Sequence, residues 1–192
     1  MTKICLIRHG ETDWNALGRI QGKTDIPLNE NGKKQAEQCR DYLKHSEWDV
    51  IVTSPLKRAK QTALIINEAL QLEVVEMDEF MERSFGDAEG KTREERAILY
   101  PDHQYPNQES REALVKRLTD GLEKVICRFP DEKVLLVAHG AVIHTLLTIV
   151  SEDSLKIEKY LSNACISNIQ YKEKRWEVKD YNLVDHLVEI PE

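Results

Sequence analysis

Two histidines in this chain stand where an apolar run gives way to a turn. Ile4-Cys5-Leu6-Ile7 closes on Arg8-His9-Gly10-Glu11, and much later Val134-Leu135-Leu136-Val137-Ala138 closes on His139-Gly140. A strand usually ends in Gly, Asp or Asn, which turn the backbone cheaply, so a histidine there commits an ionisable side chain to a position that does not need one. Two such ends in one chain point to a site. Arg8 adds a guanidinium that stays charged and whose planar fork matches phosphate or carboxylate oxygens. A third apolar run, Val50-Ile51-Val52-Thr53, leads into Ser54-Pro55-Leu56-Lys57-Arg58. Arg58 then falls in the first turn of a helix, whose free backbone N–H groups also favour anions. In an open parallel sheet, ligands bind beyond the carboxyl ends of the strands. If these strands are neighbours, His9, His139, Arg8 and Arg58 meet in one crevice, and the expected guest is an anion.

Holding these groups in place calls for alternating strands and helices, which the apolar periodicity predicts. Asn29 can cap a helix entered at Glu30, along which Ala36, Cys39, Tyr42 and Leu43 recur near a helical period. Residues 59–70 predict a second helix with Ala63, Ile66 and Leu70 on one face, and residues 114–129 a third with Leu118, Leu122, Val125 and Phe129. A fourth begins at Gly140 and runs through Ile143, Leu146, Leu147 and Val150. Residues 165–171 and 176–181 read as a late strand pair turning through Glu173-Lys174 at a sheet edge. The expected fold class is α/β: a mostly parallel central sheet flanked by helices, with an antiparallel edge. Residues 101–107 are the most loop-like internal stretch and are expected to border the mouth of the site. No repeat, low-complexity tract or composition break divides the chain, so residues 1–192 are expected to form a single domain, long enough to bury about 70% of the unfolded surface.

Composition narrows the partner. A net charge of -7 and a pI near 5.5 oppose nucleic-acid binding through the field of the whole protein, so a small anion meeting a local cationic pocket is the expected partner. Only four apolar residues precede Arg8, too few for a signal-peptide core or a membrane span, which predicts a cytoplasmic protein with no membrane partner. Cys5, Cys39, Cys127 and Cys165 show no C-x-x-C spacing and lie in apolar patterns, so buried free thiols are expected rather than disulfides or zinc ligands. A divalent metal on His9, His139 and Glu82 would be repelled by Arg8 and Arg58, and none is expected.

Five segments in order carry a resemblance. They are residues 8–15 (Arg-His-Gly-Glu-Thr-Asp-Trp-Asn), residues 18–22 (Gly-Arg-Ile-Gln-Gly), residues 54–62 (Ser-Pro-Leu-Lys-Arg-Ala-Lys-Gln-Thr), residues 82–90 (Glu-Arg-Ser-Phe-Gly-Asp-Ala-Glu-Gly) and Ala138-His139-Gly140. Together they resemble the successive signatures of the histidine phosphatase superfamily, in its phosphoglycerate-mutase-like branch, with the broad-specificity phosphatases as the nearest type. The resemblance implies hydrolysis of small phosphate monoesters without a cofactor, so that the partner is a small phosphorylated metabolite. Such esters are among the slowest species to hydrolyse, so the dianion must be neutralised, a nucleophile aligned and a poor leaving alkoxide protonated. On this reading His9 attacks phosphorus as a neutral imidazole and carries a transient phosphoryl group. Arg8, Arg58 and a protonated His139 surround the phosphoryl oxygens. Asn15 and the backbone of Gly140 and Ala141 add neutral donors, while Gln21 and Gly22 border the substrate. Glu82 protonates the leaving oxygen and later takes a proton from water.

Blander readings accompany each residue. Glu82 alone, among 34 acidic residues, would be a solvated charge; only its place in Glu-x-x-Phe-Gly-x-x-Glu-Gly makes it catalytic. Glu89 reads as loop support. His45 suits a helix carboxyl end, His103 sits in the loop stretch, His144 reads as packed or partly exposed, and His186 has only a tail context. Ala88 stands where these phosphatases often carry an aromatic, Ala138 and Ala141 replace other small residues, and His144 falls where a basic residue is common. Asn107-Gln108-Glu109-Ser110 with Arg117 resembles a variant of a Gly-Gly-Glu-Ser plus arginine region, making Glu109, Ser110 and Arg117 candidates for holding the mouth. The stretch after Gly90 lacks the arginine- and proline-rich insertion of phosphoglycerate mutases, which favours transfer to water. A mutase, a single-metabolite phosphatase such as an α-ribazole phosphatase, and a non-catalytic phosphate sensor are the alternatives. The alcohol portion of the substrate and the oligomeric state stay open.

Overall fold

The computed structural model describes residues 1–152, 156–158 and 160–188. Its strands are β1 (Thr2–Arg8), β2 (Val50–Thr53), β3 (Val74–Glu76), β4 (Lys133–Ala138), β5 (Ile166–Lys172) and β6 (Arg175–Leu183), in one sheet ordered β3-β2-β4-β1-β5-β6. The pairs β2–β3, β2–β4 and β1–β4 are parallel, whereas β1–β5 and β5–β6 are antiparallel. This is the mixed sheet with an antiparallel edge that the sequence predicts. β2 is buried throughout and β1 and β4 nearly so, as near-continuous apolar runs require in a sheet covered on both faces. β6 alternates between exposed and half-buried residues along most of its length, as an edge strand does.

The helices are α1 (Asp13–Ala16), α2 (Glu30–Leu43), α3 (Lys57–Leu70), α4 (Arg93–Leu99), α5 (Arg111–Arg128) and α6 (Gly140–Val150). Alternation along β1 sends Ile4 and Leu6 to one face, where they join Leu118, Leu122 and Leu146, and Cys5 and Ile7 to the other, with Cys39, Ala63 and Ile66. The chain leaves β1 toward β2, beyond β4, and leaves β4 toward β5, beyond β1. The two crossovers diverge between β1 and β4, which is where such sheets open a crevice. Register places Arg8 opposite Ala138, so His9 and His139 emerge side by side.

Some local features depart from the sequence reading. α5 starts at Arg111 rather than 114 because the Ser110 hydroxyl accepts the Ala113 N–H and caps the helix. α4 buries no residue, so it has no apolar stripe to read; its start is set by a Thr92–Glu95 capping box. The β5–β6 turn does run through Glu173 and Lys174, both with positive φ (53° and 63°), matching the twist of a tight hairpin. Cys127 is exposed, a correction to the expectation of four buried thiols: the inward stripe of α5 is Leu118, Leu122 and Val125, and Cys127 lies off it. The buried thiols of Cys39 and Cys165 are pushed up to about 12 and about 11, mainly by burial. His186, read only as a tail residue, is half-buried, with Nε2 2.9 Å from the Ala164 carbonyl and 3.4 Å from Cys39 Sγ. No described helix is long and apolar enough to cross a membrane.

Candidate active site

His9 extends β1 by one residue. Its N–H donates to the Ala138 carbonyl at 3.0 Å, and its carbonyl accepts from the Ala164 N–H at 3.1 Å and from Asn163 Nδ2 at 3.2 Å. Gly10 follows because α2 comes within backbone contact there: a Cβ on Gly10 would strike the Gly32 carbonyl. His9 Nδ1 lies 2.7 Å from the Gly10 carbonyl, which can only accept, so Nδ1 carries the proton and the neutral ring keeps its lone pair on Nε2. Burial first, then the charges of Arg58 and Arg8, hold the His9 pKa well below the ordinary histidine value, which favours the neutral ring.

Two guanidiniums, Arg58 buried and Arg8 half-buried, add positive charge beside it. Arg58, 1% exposed in the first turn of α3, donates from Nη2 to the Gly22 carbonyl at 2.6 Å and from Nη1 to the Thr24 carbonyl at 2.9 Å. Gly22 needs its positive φ of 55° to present that carbonyl, and a Cβ there would strike the Glu89 carboxylate. Arg8 donates from Nη1 to the Leu161 carbonyl. His139, fully buried, has its ring 5.2 Å from that of His9 and its Nε2 2.7 Å from Ser54 Oγ. Burial first, then Arg58, His9 and Arg8, hold its pKa well below the ordinary value, so a protonated His139 would draw on the negative charge of a bound phosphoryl group. Among the described residues, the buried side-chain polar atoms without a hydrogen-bond partner are Arg8 Nε, Arg58 Nε and His139 Nδ1. Such atoms are rare in folded proteins. All three belong to the residues gathered around His9.

Glu82 is buried, with Oε1 accepting the Arg83 N–H at 2.8 Å and Oε2 the Ala141 N–H at 3.2 Å. Burial raises its pKa above the usual glutamate value despite those N–H groups and the two arginines. A carboxyl so placed can hold a proton at a pH where a surface glutamate has lost it. The Ala141 N–H, expected to face substrate, is thus engaged by Glu82 and ties it to the start of α6. Asn15 lines the cavity, and its Oδ1 accepts the Thr12 N–H at 3.1 Å. Gln21 Oε1 accepts from the Thr12 hydroxyl at 2.7 Å and lines the same cavity, as do Gly22 and Gly140.

Supporting contacts resolve the remaining candidates. Glu89 accepts the N–H groups of Lys23, Thr24 and Phe85 at 3.0–3.1 Å and so joins the loop around Gly22 to the turn after Glu82. Arg117 meets Glu109 through two parallel bonds of 2.9 and 2.8 Å and also donates to the carbonyls of Glu79 and Met81, which clasps the backbone just before Glu82. Ser110 caps α5. Residues 101–107 do not line the cavity: the Pro106 carbonyl accepts the Asp87 N–H and braces the 86–88 turn, and His103 is exposed. The mouth is built instead by α5 and α6, where His144 lines the cavity. Its pKa is lowered by burial and by Arg111. Asn163 and Ser54, which hold His9 and His139, went unrecognised; Ser54 stands in a quoted motif, whereas Asn163 has no local signal.

A mostly parallel sheet with a histidine at each of two adjacent strand ends, one buried and one half-buried arginine and a buried carboxyl at a cavity of about 820 Å³ defines the class. The chain belongs to the histidine phosphatase superfamily (branch 1), whose family profile matches residues 4–184. It is 56% identical over 188 residues to the uncharacterized phosphatase PhoE of Bacillus subtilis (strain 168), an alignment covering 97% of each chain. It is 34% identical to the metal-independent phosphoserine phosphatase of Arabidopsis thaliana, over 99% of this chain and 85% of that one. The solved structure of Bacillus stearothermophilus YhfR superposes with a TM-score of 0.90 at 28% identity, covering 97% of this chain and 99% of that one.

Proposed function

We propose that this chain, acting as one domain, hydrolyses small phosphate monoesters by way of a phosphohistidine on His9, with Glu82 as acid and then base and no metal. The observation that carries the reading is the set of unpartnered buried atoms on Arg8, Arg58 and His139. A phosphoryl group supplies the acceptors that the guanidinium N–H groups lack, in a site of low dielectric where such bonds are strong. His9 Nε2 attacks phosphorus, the ester P–O bond breaks, and the Glu82 proton moves to the departing oxygen. The phosphorylated ring is cationic, and its Nδ1–H remains bonded to the Gly10 carbonyl, which stabilises that charge. The Glu82 carboxylate then takes a proton from water as the water oxygen bonds to phosphorus and the P–Nε2 bond breaks, releasing phosphate and restoring both groups. Transfer to water is favoured by the phosphatase relatives and by the short α4 region that follows Gly90. Free thiols at Cys5, Cys39, Cys127 and Cys165 suit a reducing, cytoplasmic setting.

Rapid quenching during turnover of a labelled monoester tests this. The label is expected on protein, labile in acid and stable in base, and absent from His9→Ala. The same label on that variant would exclude His9 as the nucleophile, and activity abolished by chelation and restored by one metal would exclude the metal-free route.

A further inference from the structure

The cavity carries more positive charge than the phosphoryl chemistry uses. Besides Arg8 and Arg58 it is lined by Arg19, Arg83, Arg96 and Arg111, against two carboxylates, Glu82 and Glu152, among the described residues. Composition does not explain this, since the chain as a whole is acidic at -7. The four additional arginines are more open to solvent than the centre of the site: Arg58 and His9 are 1% and 2% exposed, whereas Arg19, Arg83 and Arg96 are half-buried and Arg111 is exposed.

Three of the four are anchored by backbone carbonyls. Arg19 Nη1 donates to the Gly90 carbonyl at 2.6 Å, Arg83 Nε to the Glu109 carbonyl at 2.9 Å, and Arg96 Nη1 to the Lys91 carbonyl at 2.8 Å. A carbonyl fixes the direction of a guanidinium without cancelling its charge. Among the described residues, the carboxylate contact made by this group is Arg19 with Glu95, at 3.5 Å. Each anchored fork therefore keeps unspent donors, so little side-chain freedom remains to be lost when an anion arrives. The lining also includes apolar side chains, Phe85, Leu114, Val115 and Ile149, beside His144, Thr145 and Thr148. A volume of about 820 Å³ is that of a site for a drug-sized ligand, far more than a phosphate on a three-carbon body fills.

We infer that the preferred substrate is a phosphate monoester whose leaving group has an extended apolar body ending in a second anionic group, which Arg19, Arg83, Arg96 and Arg111 receive while His9 attacks the phosphate at the other end. This rests on the phosphatase reading above. The distal anion is a phosphate or a carboxylate, since a guanidinium fork accepts either.

The test compares hexyl phosphate with hexane-1,6-diol bisphosphate and 6-phosphooxyhexanoate, with propane-1,3-diol bisphosphate as a length control. At low ionic strength, kcat/KM for at least one six-carbon dianionic substrate is expected to exceed that for hexyl phosphate by about tenfold or more, beyond the factor of about two from a second cleavable end, with most of the change in KM. The three-carbon bisphosphate is expected to show a smaller preference. Arg96→Gln combined with Arg111→Gln is expected to cut the six-carbon preference severalfold, and added salt to weaken it. Whichever anion gives the larger gain names the distal group. Equal kcat/KM for hexyl phosphate and both distal anions overturns the inference, as does a double variant that lowers all substrates alike. Calorimetric binding to the His9→Ala protein separates the two readings. Tighter binding of the distal anions with no turnover by the wild type sinks the phosphatase reading alone. Hydrolysis of hexyl phosphate with equal binding of all ligands sinks the inference alone.

Discussion

Replacing Glu82 by glutamine removes a transferable proton while conserving length and most of the shape. Of the two N–H groups that Glu82 accepts, from Arg83 and Ala141, a glutamine oxygen retains one; the other is left unpaired at a cost of about 1–3 kcal/mol, below the stability of a typical domain. The loss in chemistry is larger. General acid catalysis contributes about 10² to 10⁴-fold, or about 2.7 to 5.4 kcal/mol of barrier, when the leaving group is a poor alkoxide. An aryl phosphate expelling a stabilised phenolate needs little protonation and should lose far less. The assay is kcat and kcat/KM for an alkyl and an aryl phosphate with wild-type and Glu82→Gln protein, since a general binding defect would depress both substrates together. Because His9 must be unprotonated and Glu82 protonated, kcat/KM for the alkyl ester should fall in acid below the depressed His9 pKa and in base above the raised Glu82 pKa; Glu82→Gln should abolish the basic limb. Equal losses for the two esters, with phosphoenzyme formation limiting both, would refute the reasoning and remove Glu82 from the leaving-group role.

Two further expectations concern stability. The folded pKa of Glu82 lies above its unfolded value, so the native state holds that proton more tightly and stability declines as pH rises from the unfolded to the folded pKa; denaturant titrations across that range should show the decline in the wild type and a flatter profile in Glu82→Gln. Arg117→Ala leaves the largely buried Glu109 carboxylate unpaired and frees two carbonyls beside Glu82, so a loss of roughly 2–4 kcal/mol in urea unfolding is expected, with a fall in kcat for the alkyl ester exceeding that for the aryl ester. An Arg117→Ala protein of unchanged stability would show that the clasp is idle.

The placement of the groups at the strand ends is readable without coordinates because each signal is local. A short apolar run closing on Arg-His-Gly or His-Gly specifies a buried strand and a side chain at its tip, and a 3.6-residue stripe specifies the face of α2, α3, α5 or α6 that covers it. Glu82 was legible only through its surrounding motif. Where stripes are absent, as in α4, the sequence held no periodic signal, and the 101–107 loop looked like a mouth because looseness in a sequence says nothing about which side of a turn a loop will brace.

What tertiary structure alone decided is set by surroundings. Desolvation depends on everything packed around a group, so the lowered pKa of His139 beside Arg8, Arg58 and His9, and the raised pKa of Glu82, follow from burial that no local pattern encodes. The same holds for partners distant in the chain: the Ala141 N–H that meets Glu82, the Gly22 carbonyl that steadies Arg58, and Asn163 on the backbone of His9. The additional arginines come from the loop after α1, the segment after Glu82, α4 and the start of α5, and only the packing of those elements brings four scattered charges to the lining of one cavity.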